Sequence, residues 1–471
     1  MRLSELLDGY ECKDFCDCEV TGLSSDSHSS SGCLFFALKG SKLDGEDYGL
    51  EATKRGAVGV VSEKPLDITN NFVVKNVRET MYKLASRFWS NPFKKVKLIG
   101  VTGTNGKTTT THIIADILNS AGKNTGIIGT LGAKWNDKTI PLKNTTPGFL
   151  EFCEIVANMS RDYVNFVVCE VSAHAIEQKR LGNVPFLIKV FTNLTQDHLD
   201  YFGDMESYRR TKLEFFKTGA NCFNVVNGDT ELGREIARKM DKNTLTYGLH
   251  SPADVFGIDL CVNNSHTSFI ANVLDEIYDI KTGLTGEFNA YNLLAGITVC
   301  SMLGVKGRAL KQGVEKIKPV KGRFNVYKGN KTAIIDYAHT PDGLKNVLIE
   351  SRKMTCGKLI CVFGCGGDRD RSKRPIMGKI AEDYADLVVL TEDNSRNEST
   401  LDIIREIASE MVSEPKVIPD RRRATEYALF IAEEDDVVVI AGKGGEDYIE
   451  REYKISYSDE TEVKRILGIV T

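Results

Sequence analysis

Between Gly100 and His112 the chain reads GVTGTNGKTTTTH, a glycine-punctuated turn closed by a lysine and a run of threonines. Residues of these types in this order hold phosphates. Backbone N–H groups at a helix start bind negative charge, Lys107 can reach the outer phosphates of a nucleotide, and the Thr108 hydroxyl is a hard ligand for magnesium. The strict G-x-x-x-x-G-K spacing would place glycine at 101, where Val101 stands, so the loop is a variant one.

Two further segments carry groups that suit the same cation. FVVCEVSAHA ends an apolar run at Glu170, and VFTNLTQDHLDYFG carries Asp197 and His198. Ligands of open parallel sheets gather beyond the carboxyl ends of strands, so these residues are expected in one crevice with the loop. Glu170 offers oxygen and His198 an imidazole nitrogen, although a lone histidine equally suits a hydrogen-bonded structural role. No Ser-His-Asp or Cys-His arrangement recommends itself. Phosphoryl transfer needs mainly positioned charges and metal ions instead of a protein nucleophile, a demand these residues agree with.

The elements that position these residues follow from the punctuation. A block at 1–95 alternates short strands (GCLFFAL, AVGVVS) with helical stretches, interrupted by the serine tract SSDSHSSSG, which on composition alone reads as a flexible loop. A second block at 96–321 opens with VKLIGV and runs through NFVVCEV and LIKVFTNL. Its buried strands alternate with helices, which predicts a parallel, doubly wound α/β sheet. A third, at 322–471, repeats the rhythm with TAIIDYA, KLICVFG, DLVVLTED and DVVVIAG.

Bulk properties agree with an enzyme of about three domains. Apolar residues at 41% and charged residues at 27% exclude a disordered chain, and a net charge of −4 leaves no basic stripe for nucleic acid. The start MRLSELLDGY has no basic segment followed by an apolar core, and no apolar run reaches the length of a membrane span, which points to a cytoplasmic protein. Cys12, Cys16 and Cys18 lack the C-x-x-C pairing of zinc sites and read as reduced thiols.

Taken together, GVTGTNGKTTT, EVSAHAIEQKRL, FTNLTQDHLDYFG, GEFNAYNLLA, DYAHTPDGL, FGCGGDRDRSKRP and AGKGGEDY closely resemble the Mur ligases, in order and over nearly the whole chain, and among them the tripeptide synthetases. The resemblance implies a three-domain architecture with a central P-loop ATPase domain and a C-terminal Rossmann-like domain. It also implies the reaction. Family members pass the γ-phosphate of ATP to a substrate carboxylate, and an amino acid's amine attacks the resulting acyl phosphate. Magnesium is the implied cofactor.

Site residues carry over position by position. The resemblance puts Gly103, Thr104, Asn105, Gly106, Lys107, Thr108 and Thr109 around the phosphates, Asn292 at the adenine, and Arg323 and Asp336 near phosphates and ribose. Thr108, Glu170, His198 and Lys212 become the metal set. An ammonium cannot ligate a cation, so the family's matching lysine is carbamylated, and Lys212 is expected as N6-carboxylysine; by local sequence alone it is a solvated lysine beside Glu214. Ser25 and Ser27 match a uridine-binding turn, which makes the serine tract an ordered loop. Asn144, Thr145, Thr146, Ser172, Gln178 and Arg180 match contacts to UDP-N-acetylmuramoyl-L-alanyl-D-glutamate.

Arg369, Asp393, Asn394, Arg396, Gly442 and Glu446 match the site for the added amino acid. Relatives adding meso-diaminopimelate read Asp-Asn-Pro-Arg; this chain reads DNSR, keeping the arginine that suits a second carboxylate and placing Ser395 where proline is usual. The loss of proline predicts a looser loop. Arg396 by local sequence is instead a surface charge paired with Glu398. Meso-diaminopimelate is favoured over L-lysine or another diamino acid, and a monomer is expected. His28, Asn325 and Gly445 also depart from the family's pattern. Two other readings stand beside this one: a folylpolyglutamate synthetase, which should lack DYAHTPDGL with GGDRD, and a non-catalytic nucleotide-binding scaffold, which should have lost Lys107, Glu170, His198 or Lys212.

Overall fold

Apolar runs bounded by turns decide where the strands lie. The computed structural model describes residues 1–10, 15–40, 44–182, 184–219, 222–263, 266–274 and 276–469. The runs singled out above form strands, among them Lys97–Thr102, Phe166–Glu170, Phe186–Phe191, Thr332–Asp336, Leu359–Phe363 and Val437–Ala441. Contacts divide the chain into two compact units. The first holds Met1–Ile99, Asn124–Leu187 and Thr218–Asn221; the second holds Gly100–Lys123, Ile188–Lys217 and Cys222–Thr471.

In the first unit, Gly22–Ser24, Cys33–Phe36, Gly59–Ser62 and Asn71–Val73 form a four-stranded parallel sheet in chain order. Helix Val77–Phe88 buries Val77, Met81, Leu84 and Ala85 at helical spacing, and Asn76 caps it by accepting from Glu79 N at 3.0 Å. The serine tract is ordered: Ser27–Ser29 forms a short helical turn, and the buried Ser30 hydroxyl donates to Ser27 O and Ala52 O. A second group of strands pairs Phe166–Glu170 parallel to Thr125–Gly129.

In the second unit, Phe223–Asn227, Thr244–Gly248 and Val255–Val262 add in parallel to the end of Phe186–Phe191. Helices Lys107–Ser120 and Glu287–Met302 lie close together because Gly296 has no Cβ to strike Ile113. The remainder is a six-stranded sheet ordered Asn325–Lys328, Thr332–Asp336, Val437–Ala441, Leu359–Phe363, Leu387–Leu390, Lys416–Val417. Helices Pro341–Lys353, Lys373–Tyr384 and Thr400–Ala408 cover one face, and Arg421–Ile431 and Asp459–Leu467 the other, giving a doubly wound layer structure.

The sequence pattern predicts parallel strands throughout the second block, and here the structure differs. Gly132–Trp135 and Lys138–Ile140 join antiparallel in the first unit, and Thr267–Val273 and Glu276–Thr282 do so in the second. Thr267–Val273 alternates buried and half-buried residues, the pattern of a strand covered on one face. Among the described residues no helix is long and apolar enough to cross a membrane. Cys16 and Cys18 are free thiols; Cys12 lies outside the described residues.

One buried ion pair ties together the two helices that share a face of the last sheet. Arg421 and Asp459 are fully buried and joined by two hydrogen bonds of 2.9 and 2.8 Å, and Arg421 also donates to Glu392 O and Ala441 O. Removing one member of such a pair strands the other charge. Asp459→Ala is expected to cost about 3–5 kcal/mol, which calorimetry should register as a melting transition about 10 °C lower. An unchanged transition would contradict this.

Candidate active site

The phosphate loop is shorter than its nearest sequence template. Val101 is fully buried inside strand Lys97–Thr102, so the loop begins at Gly103, whose φ of +155° and absent Cβ are both required: a methyl there would run into Thr192 Oγ1. The chain turns again at Gly106 (φ +82°), against Asn292 Oδ1, and helix Lys107–Ser120 starts. Asn105 N donates to Asn193 Oδ1 at 2.8 Å and Thr104 Oγ1 to Thr195 O at 3.1 Å, fixing the loop on the segment after Phe191. Lys107 Nζ folds back onto Gly103 O and Thr104 O at 2.9 and 2.7 Å. Thr108 and Thr109 are buried, and Asn292 bonds Thr110 Oγ1 and Asn289 Oδ1.

The same compact unit brings the third block to this loop. Arg323 Nη2 reaches Thr108 Oγ1 at 3.3 Å while its guanidinium lies 4.2 Å from the centre of the Tyr337 ring. Asp342 Oδ2 accepts from Asn105 Nδ2 at 3.0 Å. Asp336 accepts from Phe324 N and Ala338 N, so it shapes the backbone beside Arg323; burial raises its pKa, against the pull of that guanidinium. Asn325, at the position where the family pattern has an acid, spends its amide on Gly322 N and Val320 O.

Asp197 is the electrostatic centre. It lies six residues beyond the end of its strand and is 4% exposed, with His198 Nε2 at 3.1 Å, His339 Nε2 at 3.8 Å and Lys373 Nζ at 3.9 Å. Burial opposes its charge, but these imidazoles and the ammonium outweigh burial and hold the carboxyl well below its usual range. His198 has left-handed backbone, φ +57°, which turns its ring onto Asp197. Lys212 is not solvated. It is 1% exposed on helix Met205–Lys217, with Nζ 4.6 Å from the Tyr208 ring centre; burial first, then Lys107, pushes its ammonium well below the usual range. Glu214, its expected neighbour, pairs with Lys217.

In the first unit, Glu170 is 1% exposed, and its carboxylate accepts from Thr130 N and Thr130 Oγ1 at 2.9 and 3.0 Å. Most of the expected sugar-peptide contacts form one network around it. Thr146 Oγ1 donates to Glu170 O, Ser172 N donates to Thr146 Oγ1, Arg180 donates to Thr146 O and Gln178 Oε1, and Thr145 meets Thr130. Asn144 is exposed nearby in sequence, while Ser25 follows strand Gly22–Ser24 and the buried Ser27 opens the helical turn Ser27–Ser29.

The expected amino-acid residues meet at the carboxyl ends of the last sheet. Asn394 binds Glu446 Oε2, Lys443 Nζ and Glu450 N, all within 2.9 Å, and Gly442 leaves room for Asp393 Oδ2. Arg369 and Arg396 both flank Gly366. Arg396 does not pair with Glu398, which is taken by Arg374 and Asp368 N; it bonds Glu450 Oε2 at 3.2 Å and Gly367 O at 2.6 Å. Nor is the loop loose without proline. Ser395 is buried with its carbonyl against Gly367, and Arg396 N donates to Glu450 O.

Whether these side chains suit magnesium turns on Lys212. Among the described residues no group of three or more histidine, cysteine, aspartate or glutamate side chains is placed to hold a metal. A threonine hydroxyl and one imidazole are too few, so the set fits only if the buried lysine becomes an acid. Motif reading also missed His339, Asp342, Lys373 and Lys443. Each stands inside a quoted motif, but none has local features separating it from a surface residue.

The Mur ligase middle domain family matches residues 101–300, and the Mur ligase glutamate ligase domain family residues 322–444. The chain is a Mur ligase. It is 39% identical to the UDP-N-acetylmuramoyl-L-alanyl-D-glutamate--2,6-diaminopimelate ligase of Caldanaerobacter subterraneus subsp. tengcongensis, covering 99% of both chains. It is 40% identical to the ligase of the same name from Aquifex aeolicus, covering 95% of this chain and 94% of that one. A solved structure of a UDP-N-acetylmuramoyl-L-alanyl-D-glutamate--2,6-diaminopimelate ligase matches with TM-score 0.68 at 31% identity, covering 95% of this Mur ligase and 94% of that chain. A Mycobacterium tuberculosis folylpolyglutamate synthase complexed with ADP and AMPPCP shares the fold, at TM-score 0.65 but 17% identity, covering 82% of this chain and 94% of that one. This Mur ligase is therefore an ATP-using ligase with a parallel-stranded ATPase core, and the folylpolyglutamate reading falls away.

Proposed function

We propose that this Mur ligase joins meso-diaminopimelate to the D-glutamate of UDP-N-acetylmuramoyl-L-alanyl-D-glutamate, as a monomer in the cytoplasm. Residues 1–95 take the uridine end with Ser25 and Ser27, 96–321 take ATP, and 322–471 take the amino acid. Asn144, Thr145, Thr146, Ser172, Gln178 and Arg180 position the sugar-peptide. A carboxylate oxygen attacks the γ-phosphorus, ADP leaves, and the amine nitrogen then displaces phosphate from the acyl carbon, losing a proton. Residues Gly103–Thr109, with Lys107 on the outer phosphates and Arg323 beside them, orient ATP for in-line transfer; Asn292 and Asp336 complete its pocket. Thr108, Glu170, His198 and carbamylated Lys212 would hold magnesium, which supplies charge neutralisation on the triphosphate.

The observation that carries the choice of amino acid is the Arg396 guanidinium against Gly366, with the stem of Arg369 on the same glycine, beside the Asn394–Lys443–Glu446 cluster. The Arg396 guanidinium suits a second carboxylate, which meso-diaminopimelate has and L-lysine lacks, while Glu446 and Asp393 suit the ammonium. ATP-dependent phosphate release with the UDP-linked dipeptide tests it. Meso-diaminopimelate should exceed L-lysine and L-ornithine by at least about a hundredfold in kcat/KM. Faster turnover with L-lysine would overturn the amino acid, and silence with every diamino acid the reaction itself.

A further inference from the structure

Lys373 is an expensive residue with no local reason to be where it is. It is the first residue of helix Lys373–Tyr384, where an ammonium opposes the helix dipole, and it is 6% exposed. The nearest carboxylate oxygen, Asp197 Oδ1, is 3.9 Å away, beyond hydrogen-bond range. Among the described residues no hydrogen bond involves its Nζ, so the ammonium at the end of this buried side chain keeps a little solvent contact and has donors for a ligand. Asp197 is meanwhile shared with His198 and His339. A buried cation beside a carboxylate already so well supplied is arranged for another anion.

Its position says which. On one side, Asp197 belongs to the segment that anchors the phosphate loop through Thr195 O and Thr104 Oγ1. On the other, Lys373 acts electrostatically on Cys365, and the adjoining Gly364 packs so tightly on Thr391–Asp393 that a Cβ there would strike the Thr391 carbonyl. Asp393 and Asn394 open the amino-acid cluster. Lys373 is thus linked through Asp197 to the segment that anchors the phosphate loop, and through Cys365 and the adjoining Gly364 to the segment that opens the proposed amino-acid site. Lys107 is committed to the nucleotide loop, and Lys212, once carbamylated, carries no ammonium.

Building on the ligase reading above, we infer that Lys373 binds the anionic oxygens of the transferred phosphoryl group on the acyl phosphate and stabilises it as it departs. When the amine nitrogen bonds to the acyl carbon, the carbon–oxygen bond breaks and phosphate leaves with that oxygen and the electron pair. The amine's proton passes to solvent, and Lys373 keeps its own throughout. Its work is electrostatic: it meets negative charge that grows on the leaving phosphate.

The test compares the full-length enzyme with Lys373→Gln and Lys373→Arg. Lys373→Gln should lower kcat at least about a hundredfold while the KM for ATP moves by less than about threefold. Binding of inorganic phosphate in the presence of ADP, read by calorimetry, should weaken about tenfold or more, with affinity for ADP alone unchanged, and Lys373→Arg should recover part of both losses. Unaltered phosphate binding would overturn the inference. So would equal losses of ADP and phosphate binding with a lowered melting temperature, the mark of a purely structural lysine. Phosphate and ADP binding need no turnover, so an inactive wild-type enzyme, which would defeat the ligase reading, leaves the Lys373 comparison readable.

Discussion

Lys212→Ala is expected to lower kcat by about a thousandfold or more, a loss of roughly 4 kcal/mol of transition-state stabilisation. ADP affinity should stay within a few-fold, because the proposed nucleotide loop, Gly103–Thr109, shares no hydrogen bond with this side chain. The argument begins with burial. A lysine 1% exposed, facing Lys107, sheds its proton far more readily than one in water, and only a neutral amine attacks carbon dioxide. The proposed carbamate, formed with release of one proton, would have the charge and oxygens of a carboxylate, the component missing from the proposed metal set of Thr108, Glu170 and His198. Lys212→Arg and Lys212→Met should be as inactive as the alanine variant, since neither forms a carbamate. The pH dependence has a definite sign: acidification protonates the amine, removes the nucleophile and lowers activity, and the low position of this ammonium keeps the neutral form available well below the ordinary lysine range. Enzyme equilibrated with 13C-bicarbonate should give one carbamate carbon resonance that Lys212→Ala lacks. Full activity in Lys212→Arg, or no such resonance in active enzyme, would remove the basis for this role.

What could be read from the chain, and what could not, divides by range. The strands carrying Glu170 and Asp336 were legible because a buried parallel strand needs a short apolar run between turns, a local requirement. The phosphate loop was legible because glycines are needed where backbone turns and approaches closely, although the strand's hold on Val101 shortened it. The antiparallel strands Thr267–Val273 and Glu276–Thr282 were not, since their half-buried alternation is a weak signal among charged residues. Burial of Lys212 could not be foreseen in SYRRTKLEFF, because a polar helix face is covered only by elements distant in sequence. The partners of Asp197 come from residues 339 and 373, and Glu450 stands 54 positions from Arg396. Pairings of this kind are fixed by the fold, and no local pattern encodes them.

That last pairing yields the second large effect. Arg396→Ala should raise the KM for meso-diaminopimelate about a hundredfold, the worth of a charge-assisted pair of roughly 2–3 kcal/mol. The KM for ATP and the slow turnover of L-lysine should hardly change. In the folded chain Glu450 takes Arg396 Nε and Gly367 O takes one Nη1 proton, so the guanidinium is oriented by partners that leave the Nη1–Nη2 edge for a carboxylate. The buried Ser395 and the bond from Arg396 N to Glu450 O hold the left-handed backbone at Arg396, φ +50°, that aims this edge. Lysine at 396 would restore charge but not the fork, and part of the defect should persist in Arg396→Lys. Discrimination between the two amino acids should therefore shrink in both variants by loss of the preferred substrate, not by gain of the other. Steady-state kinetics with both amino acids decides it: an unchanged KM for meso-diaminopimelate in Arg396→Ala would mean that the second carboxylate is read elsewhere.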